Sequence, residues 1–129
     1  MIYEEEADYI MRMIKEMARV LFSLMLGKKY TQVELPKENK FSVSGKGLED
    51  FTGLVDQGKI NEAENMLWES IDYKNREELA AAILFYEYVS EKGEEFLREH
   101  GYSLEEAAEG MKQIGEQAGY GELIKDLEL

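Results

Sequence analysis

Apolar residues recur at helical spacing through the first fifth of the chain. They are separated alternately by three and four positions, at Ala7, Ile10, Ile14, Met17, Leu21 and Leu24. A second apolar row lies beside the first, at Met11, Ala18, Phe22 and Met25. This spacing predicts a helix over about residues 5–26 whose seam packs against another helix. Because its apolar surface is wider than one neighbour covers, we expect a central helix, a helix that associates with protein, or both.

Four further helices are predicted after residue 46. They cover about residues 47–57, 61–72, 75–100 and 104–117, and a short tail at 122–127 has the pattern of a closing helical turn. Ser103 with Glu106 is a capping box that predicts the start of the last long helix. Asn75 with Glu78 marks the start of the helix before it in the same way. Gly93 either breaks that helix or is tolerated within it.

No segment has the pattern of a central strand, so the predicted class is all-α. A chain of 129 residues is the size of one ordinary domain. We therefore predict a single helical domain over residues 1–129, with about five helices. Short turns between most of them favour stacked antiparallel helical hairpins, with the long helix at the N-terminus.

Residues 27–47 form a long connection of different composition. They hold the single proline of the chain and have a net charge of +3, from five lysines and two glutamates. One interpretation is a partly ordered crossing loop that lays Val33, Leu35, Phe41 and Val43 on the core. The other is a positively charged functional arm on a negative body. Structureless connections of this length are uncommon in compact domains and are often functional.

The whole chain is strongly acidic, with a formal net charge of −13. Such a surface repels phosphate groups, which disfavours nucleic acids and anionic membranes as partners. Five charged residues interrupt the apolar window 7–26, so we do not expect it to span a membrane. The first six residues include three glutamates and no basic residue, whereas a secretory signal would begin with basic residues, and the expected location is therefore the cytoplasm.

Few residue types are present that could do chemistry. The chain has no cysteine and one histidine, His100, which we expect to cap a helix end or to lie exposed. Glu87 lies among aromatic residues; burial would raise its pKa, but a surface position on the helix is favoured. Gly45-Lys46-Gly47 lacks the spacing of a phosphate-binding loop. We predict no catalytic residue, no metal ligand and no cofactor.

Two resemblances extend this picture. Residues 58–67 resemble the turn and second helix of a tetratricopeptide repeat, with the matching positions at Gly58, Ile60, Ala63 and Leu67. The resemblance implies a repeat-like helical hairpin over residues 47–72. Three segments, 8–14, 58–67 and 94–97, resemble a family of small uncharacterised helical proteins, mostly from Gram-positive anaerobic bacteria. That resemblance implies a bacterial, cytosolic, helical protein and supplies no activity.

The function predicted from the sequence is non-enzymatic contact with protein through the N-terminal helix. The contact would form either a homodimer or a complex with a partner helix. We predict that three side chains of this helix face outward and form the interface: Met13, Val20 and Phe22. The alternative is a small-ligand-binding protein or enzyme with a site between helices, walled by Trp68, Tyr86, Glu87 and the 27–47 arm. A third hypothesis is an acidic inhibitor of a basic partner, suggested by the charge.

Overall fold

The fold is known from a computed structural model that describes residues 2–26 and 42–127. Seven helices and one small hairpin lie within these residues. They are α1 (Ile2–Leu26), β1 (Ser42–Val43), β2 (Lys46–Gly47), α2 (Leu48–Asp56), α3 (Ile60–Ser70), α4 (Arg76–Glu91), α5 (Glu94–Glu99), α6 (Leu104–Gln117) and α7 (Gly121–Leu127). The all-α class is confirmed. The predicted count of about five helices is low, because α5 is separate from α4 and the tail is helical.

α1 packs against α4 and α6, and more lightly against α7. Its central apolar residues are fully buried, as the seam and the second apolar row beside it predicted; they are Ile14, Met17, Ala18 and Leu21. Thus two long helices together cover one wide face of α1. Their side chains form the middle of a core to which every helix from α1 to α7 contributes a buried residue.

Two of the predictions for α1 are wrong. Phe22, predicted to face outward, is only 4% exposed, while Leu24, predicted in the seam, is 38% exposed. The cause is the helical repeat: a row with gaps of three and four drifts by about 20° per heptad around a straight helix. By the third heptad, Leu24 has turned towards solvent. Phe22 belongs instead to the second apolar row, which is buried at that end of the helix.

The predicted loop 27–47 lies mostly outside the described residues, since the structure describes its last six. Ser42–Val43 and Lys46–Gly47 pair as a two-stranded antiparallel hairpin. The turn residues Ser44 and Gly45 both have positive φ, as a two-residue hairpin turn requires. Val43 is buried, as the crossing-loop interpretation expects. The predicted positions of Val33, Leu35 and Phe41 lie outside the described residues.

α4 is the most buried helix among those described, with ten buried residues from Leu79 to Ser90. It packs against α1, α6 and α2. The helix ends near Gly93, whose φ of 90° only glycine adopts without strain. Gly93 is therefore a break, and α5 begins at the next residue.

Candidate functional site

A groove of about 480 Å³ lies between α3 and α6. Its lining is mostly polar and comes from both helices: Glu64, Asn65, Trp68, Glu69, Glu106, Glu109, Gly110 and Gln113. Four of these eight residues are glutamates, and none is basic. The volume falls in the range of sites that hold a small ligand or several side chains of a partner.

A hydrogen-bonded network lies at the base of the groove. The Tyr86 hydroxyl donates to Glu64 Oε2 at 2.7 Å and accepts from Trp68 Nε1 at 2.6 Å. The Tyr102 hydroxyl also donates to Glu64 Oε2, at 3.0 Å. The network therefore joins α3 to α4 and to the segment before α6, and it fixes the orientation of the two groove residues Glu64 and Trp68.

Burial and the nearby Glu64 carboxylate together raise the pKa of Tyr86 and Tyr102 well above the usual value. Both phenols are therefore neutral hydrogen-bond donors across the ordinary pH range. A neutral donor whose pKa is raised in this way does not serve as a base near pH 7. The network holds the groove in one shape, and we assign no acid–base chemistry to it.

Gly110 on α6 makes the network possible. A Cβ atom at this position would overlap the ring of Tyr86 near its hydroxyl. With no side chain there, the tyrosine ring passes beside α6 and reaches Glu64 and Trp68 on α3. Gly110 is thus a close-approach glycine, used for packing and not for a turn.

The fold brings together only some of the residues that were predicted to line a site between helices. Trp68 lines the groove and Tyr86 lies directly beneath it, as that hypothesis requires. Glu87 points elsewhere, towards α1. Burial, reinforced by the neighbouring charge of Glu91, raises the pKa of Glu87 to about 7, while Lys15 and Arg19 act in the opposite direction. Its surface position is not confirmed, since the side chain is half-buried.

His100 has the structural role that its position predicts. It is the C-cap residue of α5, its Nδ1 lies 2.8 Å from the Phe96 carbonyl oxygen, and its ring packs against the Phe96 ring at an angle of 40°. The ring also fills the space beside Gly58 in the turn between α2 and α3. Within residues 2–26 and 42–127, no group of three histidine or carboxylate side chains is arranged to hold a metal ion.

The outer face of α1 is the second candidate site. Four apolar residues separated by four, seven and four positions share this face, within an arc of about 60°. We call them the outer stripe: Tyr9, Met13, Val20 and Leu24. Tyr9 is 41% exposed and Leu24 38% exposed, while Met13 and Val20 are half-buried. Two of the three predicted interface residues therefore lie on one face, and Phe22 does not.

Charged residues lie beside one edge of the outer stripe: Arg12 and Arg19, with Glu16 between them and Tyr9. Between Tyr9 and Met25 the chain has three basic residues and one acidic residue, although its total charge is −13. Arg12, Lys15 and Arg19 are all exposed. In the part of the chain that the structure describes, none of the three forms a salt bridge. Arg12 and Arg19 are seven residues apart and so lie on the same side of the stripe.

The fold and these surfaces define an all-helical domain with a polar groove between α3 and α6 and a partly apolar face on α1. No helix within residues 2–26 and 42–127 is long and apolar enough to cross a membrane. The chain belongs to DUF6483, a family of unknown function, which it matches over residues 4–119. No curated protein and no solved structure matches it. The expectation of a family without an assigned activity is therefore confirmed.

Proposed function

We propose that this protein is a protein–protein interaction module that self-associates through the outer stripe of α1. The observation that supports the proposal is the stripe itself. The opposite face of α1 is covered by α4 and α6, yet over four helical turns Tyr9 and Leu24 remain exposed and Met13 and Val20 remain half-buried. An apolar row on an exposed helix face is typical of a helix that docks on protein.

The cellular setting is part of the same proposal. We place the protein in the bacterial cytoplasm, as a single domain of residues 1–129 whose α2–α3 pair is a repeat-like helical hairpin. The resemblance of residues 58–67 to a tetratricopeptide repeat supports the last point, and the packing of α2 on α3 is consistent with it. Contact with protein, and not catalysis, is the activity proposed.

Changing Val20 to Glu tests the proposal. A charge in the middle of the stripe must be desolvated when a partner covers it, which opposes association. We expect the wild-type protein to show a mass above that of one chain in light scattering at high concentration. The V20E variant should have the mass of one chain at the same concentration, with unchanged helical circular dichroism.

Leu123→Glu is the matched control. Leu123 is an apolar residue of α7 that is as exposed as Tyr9, at 41%, and it lies outside the stripe. The L123E variant should associate as the wild type does. A wild-type protein with the mass of one chain at every concentration would contradict the proposal, and so would equal loss in both variants.

A further inference from the structure

The outer face of α1 and the groove between α3 and α6 are complementary in charge and in shape. One is a convex helix face with an apolar stripe and the cations Arg12 and Arg19 beside it. The other is a concave surface with four glutamates and the indole of Trp68. Helix-in-groove contacts combine these features: apolar anchors, an aromatic wall and opposite charges at the rim.

A single chain does not bring these two surfaces together. α1 is fixed to α4 and α6 through the face on which Ile14 and Leu21 are buried, so its outer stripe lies on another face, where Met13 also packs against the edge of the core. The groove opens between α3 and α6, on another side of α6. Arg12 and Arg19 of α1 form no salt bridge within the described residues, and they meet the glutamates of the groove only between two molecules.

We infer that the outer face of α1 docks into the α3–α6 groove of a second copy of this chain. The inference rests on the proposed function and names the surface that receives the helix. Two chains of charge −13 repel each other over most orientations. The approach of the cationic segment 9–25 of one copy to the glutamates of the other is attractive, so it selects this orientation over a contact between two α1 helices.

A contact between two different surfaces is heterologous. Each molecule retains a free groove at one end and a free helix face at the other, so assembly proceeds head to tail. The average mass should consequently continue to rise with concentration beyond that of two chains. A symmetric contact between two α1 helices would stop at a dimer.

A complementation experiment with two blocked variants tests the inference. The first variant, V20E, has a blocked helix face and an intact groove. The second has a blocked groove through Glu69→Lys and Glu109→Lys, two exposed residues on either side of it. Each should have the mass of one chain alone. Mixed, they should form a complex of one molecule of each, because one supplies the groove and the other supplies the helix.

Trp68 reports which groove is filled, because it is the only tryptophan of the chain. Adding Trp68→Phe to the groove variant leaves the indole of the V20E molecule as the single signal. Its fluorescence should change on mixing and should follow the same binding curve as the mass. Circular dichroism of each variant before mixing establishes that both are folded.

Charge reversal provides a second measurement. Arg12→Glu with Arg19→Glu should weaken the association of the otherwise wild-type chain roughly tenfold at low salt. The same pair combined with Glu69→Lys and Glu109→Lys on one chain should restore association, because the charges are then exchanged.

The outcomes separate the inference from the proposed function. If V20E has the mass of one chain while the groove variant still forms a dimer, the contact is between two α1 helices. That result would overturn the inference and leave the proposed function in place. A wild-type chain that never associates would overturn both. Complementation with a fluorescence change would support both.

Discussion

At the scale of single residues, a substitution of Gly110 tests the close approach of Tyr86 to α6 most directly. The Tyr86 ring is held by Trp68 and Glu64, so it cannot move away from a methyl group at position 110. We expect Gly110→Ala to destabilise the protein by about 1–3 kcal/mol, the usual cost of overpacking. Chemical denaturation followed by circular dichroism measures the change.

Gly53→Ala is the control for this substitution. Gly53 lies inside α2, and a Cβ atom there meets nothing within 4 Å. Alanine should therefore stabilise that helix by about 0.5–1 kcal/mol through its higher propensity. Equal effects at the two positions would show that the close approach of Tyr86 to α6 does not exist.

The raised pKa of Glu87 predicts that the folding stability of the protein depends on pH. Its pKa in the folded protein is about 7, above the ordinary value of 4.5, because burial disfavours the charged form. The folded state therefore binds the proton more tightly than the unfolded state. The stability that this group contributes is complete below about pH 4.5 and is lost as the pH rises through 7.

The variant Glu87→Gln removes this titration. It should be more stable than the wild type at pH 8 by about 1 kcal/mol, less than the full pKa shift corresponds to, because water screens the exposed part of this half-buried carboxylate. Below pH 4.5 the two proteins should have equal stability, which serves as the internal control. A difference that does not change between these pH values would contradict the buried position of Glu87. Thermal unfolding at a series of pH values gives the comparison.

At the scale of elements, the start of α4 depends on one side chain. Asn75 Oδ1 accepts hydrogen bonds from the backbone N–H groups of Glu77 and Glu78, at 3.0 and 3.2 Å. Asn75→Ala leaves both donors without this partner and should cost about 1 kcal/mol of folding stability. Asn65→Ala, at an exposed position inside α3, is the matched control and should be neutral or slightly stabilising. Urea denaturation distinguishes the two.

Helix starts were predictable because their determinants are local. Ser103 caps α6 as the capping box indicates, with the Glu106 N–H donating to its hydroxyl at 3.1 Å. Which side of α1 is exposed to solvent was less predictable. Its apolar residues cover more than half of the helix circumference, so the sequence does not decide which of them lie outside. The packing of α1 against both α4 and α6 decides which residues are exposed. This packing leaves Tyr9 and Leu24 exposed and buries Phe22.

At the scale of the whole molecule, the groove could not be predicted from the sequence. Its network joins Glu64 to tyrosines 22 and 38 residues further along the chain. No periodic pattern links such positions, because each of the three residues belongs to a different part of the fold. The sequence indicated aromatic residues near Tyr86, and only the packing of α3, α4 and α6 shows which polar groups they meet.

The packing of α1 on α4 and α6 also has a consequence for the synthesis of the protein. α1 is made first, but the helices that cover it begin at Arg76 and Leu104. At the usual rates of translation, this separation leaves the new helix without its neighbours for several seconds, on the order of 3–20 s. During that interval the apolar residues of α1 are accessible to chaperones, or to a neighbouring nascent chain on the same messenger RNA.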